Sequence, residues 1–251
     1  LLHAFLRRPL SDPDRAQIQL RLAAIALEQG NPAQARTVFS LAADRPEPAI
    51  RQAALSGLGD VAMFLGDLAQ AQQHYERAVA LADQTPLAAR ARYQIGRIRL
   101  EVGSFEQAAG IFQRLASGED AALADDARLA LVIVYLNQKE GQLARTLLEA
   151  IRRQRPASQA AARAAYYEAL IALGEGDEAH AQQLCQQLIA AAPATDEAFE
   201  ARLLLADLEA RLTSPREVME RLRQMYGSER LPPRHRGKLA KRLGDFARAE
   251  G

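Results

Sequence analysis

Tryptophan is absent from this 251-residue chain, cysteine occurs once (Cys185), and aromatic residues make up 5% of it. A single cysteine excludes an internal disulfide framework and a cysteine-based zinc cluster. So few aromatic residues disfavour a sheet protein, because aromatics are among the residues that strands prefer. No stretch reaches the roughly 18 consecutive apolar residues that a membrane-spanning helix requires. Net charge is scarce as well: 32 Lys and Arg against 31 Asp and Glu leave +1. That balance argues against a chain built to coat nucleic acid or an anionic membrane. Lysine supplies only 3 of the basic residues and arginine 29, a skew that reflects genome base composition before function. Leu1 stands where a Met would begin a gene product and no signal peptide is visible, so a fragment or a processed chain is expected.

Alanine is what the chain has in excess, 52 residues or about a fifth of it. Alanine has the best intrinsic helix propensity, and small residues let helices approach closely. The remaining composition, 49% hydrophobic and 25% charged, is that of an ordinary globular protein.

Four ladders run through the chain in one register. Small residues recur at Ala35, Ala71, Ala108, Ala144 and Ala181, then Val218, with steps of 36, 37, 36, 37 and 37. Ala23, Gly59, Gly96, Val132, Ala169 and Ala206 repeat the same five steps. Large apolar residues follow at Phe39, Tyr75, Phe112, Leu148, Cys185 and Leu222, and a fourth ladder runs Leu22, Leu58, Ile95, Leu131, Glu168, Leu205. An internal repeat of this length reads as a stacked array of helical units. Apolar residues inside each unit recur at three- and four-residue spacing, the helical period. Gly30-Asn31-Pro32, Gly66-Asp67, Gly103-Ser104 and Gly176-Asp177 divide each unit in two: glycine closes one helix in the left-handed conformation, and Asn, Asp or Ser caps the next. Thr85-Pro86 and Ser214-Pro215 read as N-cap followed by proline in the first turn, and Ser214 with Glu217 fits a capping box. The helices expected are 14–29 with 32–44, 48–65 with 68–83, 86–102 with 105–117, 120–138 with 141–154, 158–174 with 178–192, and 196–212 with 215–226.

This pattern resembles the tetratricopeptide repeat family. Leu58-Gly59, Gly66-Asp67, Ala71, Tyr75 and Ala78 carry the resemblance most closely, followed by Ile95-Gly96, Gly103, Ala108 and Phe112. Two positions depart from it. Lys139 stands where the turn glycine belongs, with Gly141 two residues later, and Glu168 takes the place of a large apolar residue. A buried lone carboxylate is costly, so Glu168 calls for an arginine partner or a rotated helix. The resemblance implies an all-α fold, a right-handed solenoid of antiparallel helix pairs with about six full repeats. Leu243-Gly244, Ala247 and Gly251 repeat a first-helix pattern, and residues 1–8 read as a second helix of a preceding unit. Solenoid ends normally carry polar caps, and neither end does, so residues 1–251 are expected to form one solenoid cut from a longer array.

Enzyme chemistry finds no foothold. His3, His74, His180 and His235 lie in different units and share no ligand spacing, so no metal or cofactor is expected. Cys185 occupies a core ladder position rather than that of a nucleophile beside a histidine. No phosphate loop, nucleotide-binding glycine pattern, HExxH or serine elbow occurs. Residues 213–251 hold 10 Lys and Arg against 5 Asp and Glu, which suits acidic partners or anionic lipid. Only Tyr226 and Phe246 there could stack on bases, so nucleic acid is not an expected partner.

If the resemblance holds, the first helix of each unit lines a concave groove, and the register assigns its side chains. The third unit contributes Arg90, Tyr93 and Arg97, the fourth Leu129, Ile133, Leu136 and Asn137, and the fifth Arg163, Tyr166, Tyr167 and Leu170. These give an apolar floor with a basic rim, suited to a partner protein or peptide with acidic flanks. The stretch 129–136, LALVIVYL, is hydrophobic all round, so it needs cover on both sides: from neighbouring units, from a partner, or from a second copy. Leu20, Ala24 and Gly57 stand where some family members carry a clamp of Lys, Arg and Asn for chaperone tails, which disfavours that ligand. A non-enzymatic interaction scaffold is expected, similar to bacterial cell-envelope members that act in periplasmic assembly or exopolysaccharide export. A peptide- or ligand-sensing regulatory domain, an accessory domain of an enzyme, and a cytoplasmic location are the alternatives.

Overall fold

The computed structural model describes residues 11–156, 158–210, 215–227 and 233–250. The reading of residues 1–8 as a helix and of Ser214 as a cap therefore lies outside the described residues. All thirteen helices among those residues are α-helical, and no strand accompanies them. The chain divides into two compact units, Leu1–Gln138 and Lys139–Gly251. Unit 1 contains α1 (Asp12–Glu28), α2 (Pro32–Ala43), α3 (Pro48–Phe64), α4 (Leu68–Leu81), α5 (Pro86–Glu101), α6 (Phe105–Ala116) and α7 (Ala121–Asn137). Unit 2 contains α8 (Gly141–Gln154), α9 (Gln159–Gly174), α10 (Glu178–Ala191), α11 (Asp196–Glu209), α12 (Pro215–Tyr226) and α13 (Pro233–Glu250). The helix pairs agree with the sequence to within three residues. The first starts at Asp12 because Ser11 caps it and Pro13 fits in its first turn, where a missing N–H costs nothing.

The turns follow from local chemistry. Gly30, Gly66, Gly103 and Gly176 have φ between 77° and 83°. The residue after each glycine donates its N–H back across the helix end, Asn31 to Ala26 O at 2.8 Å and Asp67 to Ala62 O at 2.9 Å. The same residues open the next helix: Asn31 accepts from the Gln34 N–H at 3.3 Å and Asp67 from the Gln70 N–H at 3.0 Å. Ser104 differs, because its side chain makes no cap hydrogen bond. Lys139 adopts φ 62°, the glycine conformation with a side chain attached.

In unit 1 the first helices α1, α3, α5 and α7 touch one another in turn, while α2, α4 and α6 touch only first helices. Unit 2 repeats this with α9, α11 and α13. First helices thus form the closer-spaced layer of each unit, and their free face is the concave one. Ladder residues supply the packing. Tyr75 of α4 lies on Gly59 of α3, where an added Cβ would fall 2.5 Å from the ring, and Phe112 of α6 lies likewise on Gly96 of α5. In unit 2, Ala169 and Cys185 share one core cluster and Ala206 and Leu222 another.

Candidate functional site

The free face of α5 carries the most complete set of the expected residues. Arg90 and Arg97 are exposed and Tyr93 is half-buried between them, at i, i+3 and i+7 along one side of the helix. Tyr93 is held by Phe112, with ring centroids 5.5 Å apart and planes at 60°. The Arg97 guanidinium accepts a position beside Gln94, donating to its Oε1 at 3.0 Å. Across the face stands Asp60 of α3, whose Oδ1 receives the Tyr75 hydroxyl at 2.6 Å. Burial raises the Asp60 carboxyl above its ordinary range, while the Tyr75 bond and the Arg97 charge pull it back. Burial and Asp60 together push the Tyr75 phenol up, so it stays a donor. Unit 1 thereby presents a fixed carboxylate, two guanidinium groups and an aromatic ring.

Helix α7 packs on α5 and behaves differently from the expectation. Leu129 is 4% exposed, so it is core and not part of an open face. Its register position sets only its direction around the helix, and neighbouring side chains close over it. Ile133 and Leu136 are half-buried, and Asn137 is exposed with its Nδ2 donating to Ile133 O at 2.8 Å. Residues 129–136 include no exposed side chain, so the all-round hydrophobic stretch is largely covered within the chain.

Unit 2 places its expected residues on α9, where ion pairs run between helices. Arg163 lies 3.6 Å from Glu197 of α11. Glu200 of α11 pairs with Lys238 of α13, and Asp207 of α11 with Arg242 of α13 at 2.5 Å. His235 of α13 is 7% exposed, meets Asp196 at 3.1 Å and stacks on Phe199 with centroids 4.0 Å apart. Tyr166 sits among these groups, and burial first, then Glu200, pushes its hydroxyl up to about 12. Tyr167 is half-buried, but consecutive residues on a helix point about 100° apart, so Tyr166 and Tyr167 do not share one direction. Leu170 is 37% exposed. Within the basic stretch 213–251, Arg221, Lys238 and Arg242 all meet carboxylates, which the count of charges along the chain does not reveal. The signal was in the register: Arg163 and Glu200 are one repeat of 37 apart, with Lys238 a further 38 on, so charge alternates from unit to unit.

Other sequence questions resolve at single residues. Glu168 finds the arginine its position demands, Arg152 of α8. Burial still holds its carboxyl above the ordinary range, against the Arg152 charge. Cys185 is 0% exposed, and burial pushes its thiol up to about 11, the opposite of an activated nucleophile. Among the described residues no group of three or more His, Cys, Asp or Glu could hold a metal ion, and no helix is long and apolar enough to cross a membrane.

Comparison with known proteins bears on the whole chain. Residues 51–117 match a family model described as the tetratricopeptide repeat, and residues 1–50 and 93–158 match a second model of the same description. The apo form of the quorum sensor NprR from B. thuringiensis is similar with a TM-score of 0.66 at 11% identity, over 96% of this chain and 72% of that one. PilW, a widely conserved type IV pilus biogenesis factor, gives a TM-score of 0.64 at 14% identity, over 90% of this chain and 98% of its own. The nearly identical repeats of a putative kinesin light chain from Podosopora anserina give 0.58 at 20% identity, over 72% and 96%. At these identities the likeness is one of fold. No curated protein matches the sequence significantly.

Proposed function

The chain belongs to the tetratricopeptide repeat family, whose repeats serve as protein-interaction scaffolds, and from that premise we propose that it binds a partner protein or peptide on the concave faces of its first helices without catalysing a reaction. The observation that carries this reading is the α5 face, where exposed Arg90 and Arg97 flank the anchored ring of Tyr93. Guanidinium groups fork onto carboxylates and a rigid aromatic gives contact area at low entropic cost, so the partner segment is acidic with an apolar anchor. Ile133, Leu136 and Asn137 of α7 extend the contact in unit 1. In unit 2 a second contact uses Tyr166 and Leu170, with Arg163 and Tyr167 at its edge.

The proposal places the protein in the bacterial cell envelope, in a periplasmic assembly or exopolysaccharide-export complex. Alanine- and arginine-rich units of 36–37 residues support that placement, as does likeness of fold to a pilus biogenesis factor. Likeness of fold to a quorum sensor favours a second reading, a peptide-sensing domain that governs an attached effector. A paired pull-down from envelope and soluble fractions tests both, with the parent chain and an Arg90→Ala/Tyr93→Ala/Arg97→Ala variant of unchanged helix content as baits. An envelope protein kept by the parent and lost by the variant is the expected result. A partner held equally by both baits would sink the α5 face as the site, and one found only in the soluble fraction would remove the envelope placement.

A further inference from the structure

One buried amide bolts α3 and α4 to the start of α5. Gln52 is 2% exposed, its Nε2 donates to Ala78 O at 2.9 Å and to Ala82 O at 2.7 Å, and its Oε1 accepts from Thr85 Oγ1 at 3.0 Å. Both amide hydrogens and the oxygen are thus used, as a buried carboxamide requires. The same frame recurs 110 residues later in unit 2: Leu188 stands for Ala78, Ala192 for Ala82 and Thr195 for Thr85, but Ala162 stands for Gln52. Thr195 Oγ1 donates to Ala192 O at 2.8 Å, and Thr85 Oγ1 stands in the same place, 3.1 Å from Ala82 O, in unit 1. Where the glutamine would lie, an open groove of about 1080 Å³ runs between α8, α9 and α10, lined by Ala162, Leu188, Ala192 and Thr195 among others. It is far larger than one side chain, so a segment of backbone fits with it.

The electrostatics of the rim select a neutral occupant. Arg152 pairs with Glu168, Arg153 with Glu149 at 2.6 Å, and Asp196 meets the His235 imidazole at 3.1 Å, so each charged group that borders the groove has a partner within the chain. A carboxylate or ammonium entering there would be desolvated without a new counterion. A polar but uncharged group with two donors and one acceptor meets no such cost.

We propose that the unit 2 groove receives a glutamine or asparagine side chain from a partner protein segment. Its carboxamide donates to the carbonyls of Leu188 and Ala192 and accepts from Thr195, whose hydroxyl then stands between Ala192 O and the amide oxygen, as that of Thr85 stands between Ala82 O and Gln52 Oε1 in unit 1. None of the α5 residues lines the groove, so this inference stands independently of the α5 reading.

Short random peptides displayed on phage and panned against the full chain test it, with Ala162→Gln and Arg90→Ala/Arg97→Ala as counter-screens. The expected result is a class of binders with a shared Gln or Asn, weakened about tenfold or more by Ala162→Gln, the loss of roughly one set of hydrogen bonds. The α5 variant leaves that class unchanged, and exchange of its Gln for Glu or Met abolishes binding. Ala162→Gln itself melts no lower than the parent, because its own amide fills the frame. A parallel NMR titration with Nα-acetylglutamine methylamide, against the methionine analogue, reads the site without any variant. Saturable shifts at Leu188, Ala192 and Thr195 with the glutamine probe alone support the proposal. Absence of those shifts overturns it, as do binders indifferent to Ala162→Gln or sensitive binders that lack an amide.

Discussion

Unit 1 drives an aromatic ring from each of its second helices onto a glycine: Phe39 onto Gly57, Tyr75 onto Gly59, and Phe112 onto Gly96. At the same ladder position unit 2 has Leu148, Cys185 and Leu222, all buried and none aromatic. Charge is distributed in the opposite sense. In unit 1 Arg128 pairs locally with Asp125 at 2.9 Å, three residues away on the same helix. Unit 2 adds to its local pairs others that tie different helices together, α8 to α9 through Arg152 and Glu168 and α11 to α13 through Asp207 and Arg242. One repeat pattern therefore tolerates two ways of joining neighbours. Ring-on-glycine contacts are short-ranged and exclude water, whereas half-exposed ion pairs add little stability each but fix geometry. The groove at Ala162 has its place in this contrast, since a joint made at its rim does not require a filled centre.

Removing the ring should separate the units most sharply. Tyr75→Ala empties the space on Gly59 and strands Asp60, and is expected to cost about 3–5 kcal/mol. Cys185→Ala at the equivalent place is expected to cost about 1 kcal/mol. Urea unfolding followed by site-resolved hydrogen exchange reads both, and equal losses would erase the distinction. Replacing the charge joint works in the other direction. Glu168→Leu restores the ladder residue in place of a half-buried carboxylate and is expected to stabilise by about 1 kcal/mol at pH 7. The Glu168 carboxyl is raised by burial, so the wild-type side chain favours folding most when protonated, below its ordinary value of 4.5, and that contribution fades as pH rises through the folded value. The advantage of the leucine should consequently shrink as pH falls through the raised folded value and level off below about 4.5. An advantage that grows in acid would show instead that the Arg152 pair is the dominant effect. The smallest change concerns the turn that opens unit 2. Relief of about 1–2 kcal/mol of left-handed strain, less the entropy glycine brings to the unfolded chain, leaves Lys139→Gly more stable by about 0.5 kcal/mol. A melting temperature below that of the parent would mean that the lysine side chain holds the turn through a contact of its own.

Much of this was legible in residues alone. The ladder of Gly59, Gly96 and Ala169 located the close helix contacts, because only a small residue there admits what the second helix presents. Gly66-Asp67 and Gly176-Asp177 located the turns, because positive φ and an oxygen cap are properties of single residues. Glu168 was legible as a misfit, although the residue that answers it lies on another helix. Leu129 was not legible: direction around a helix says nothing of what lies opposite. The partners of Lys238 and Arg242 were not legible for the same reason, since the carboxylates they meet belong to α11.

By itself the sequence determined the repeat, the pairing of helices and the conformation of the turns, since propensity, capping and left-handed glycine act over a few residues. The tertiary structure alone decided which groove positions stay open, which charges meet, and that Ala162 lines a groove at the register position where Gln52 hydrogen-bonds to Ala78 O. Those outcomes depend on distances between helices, which no single helix encodes.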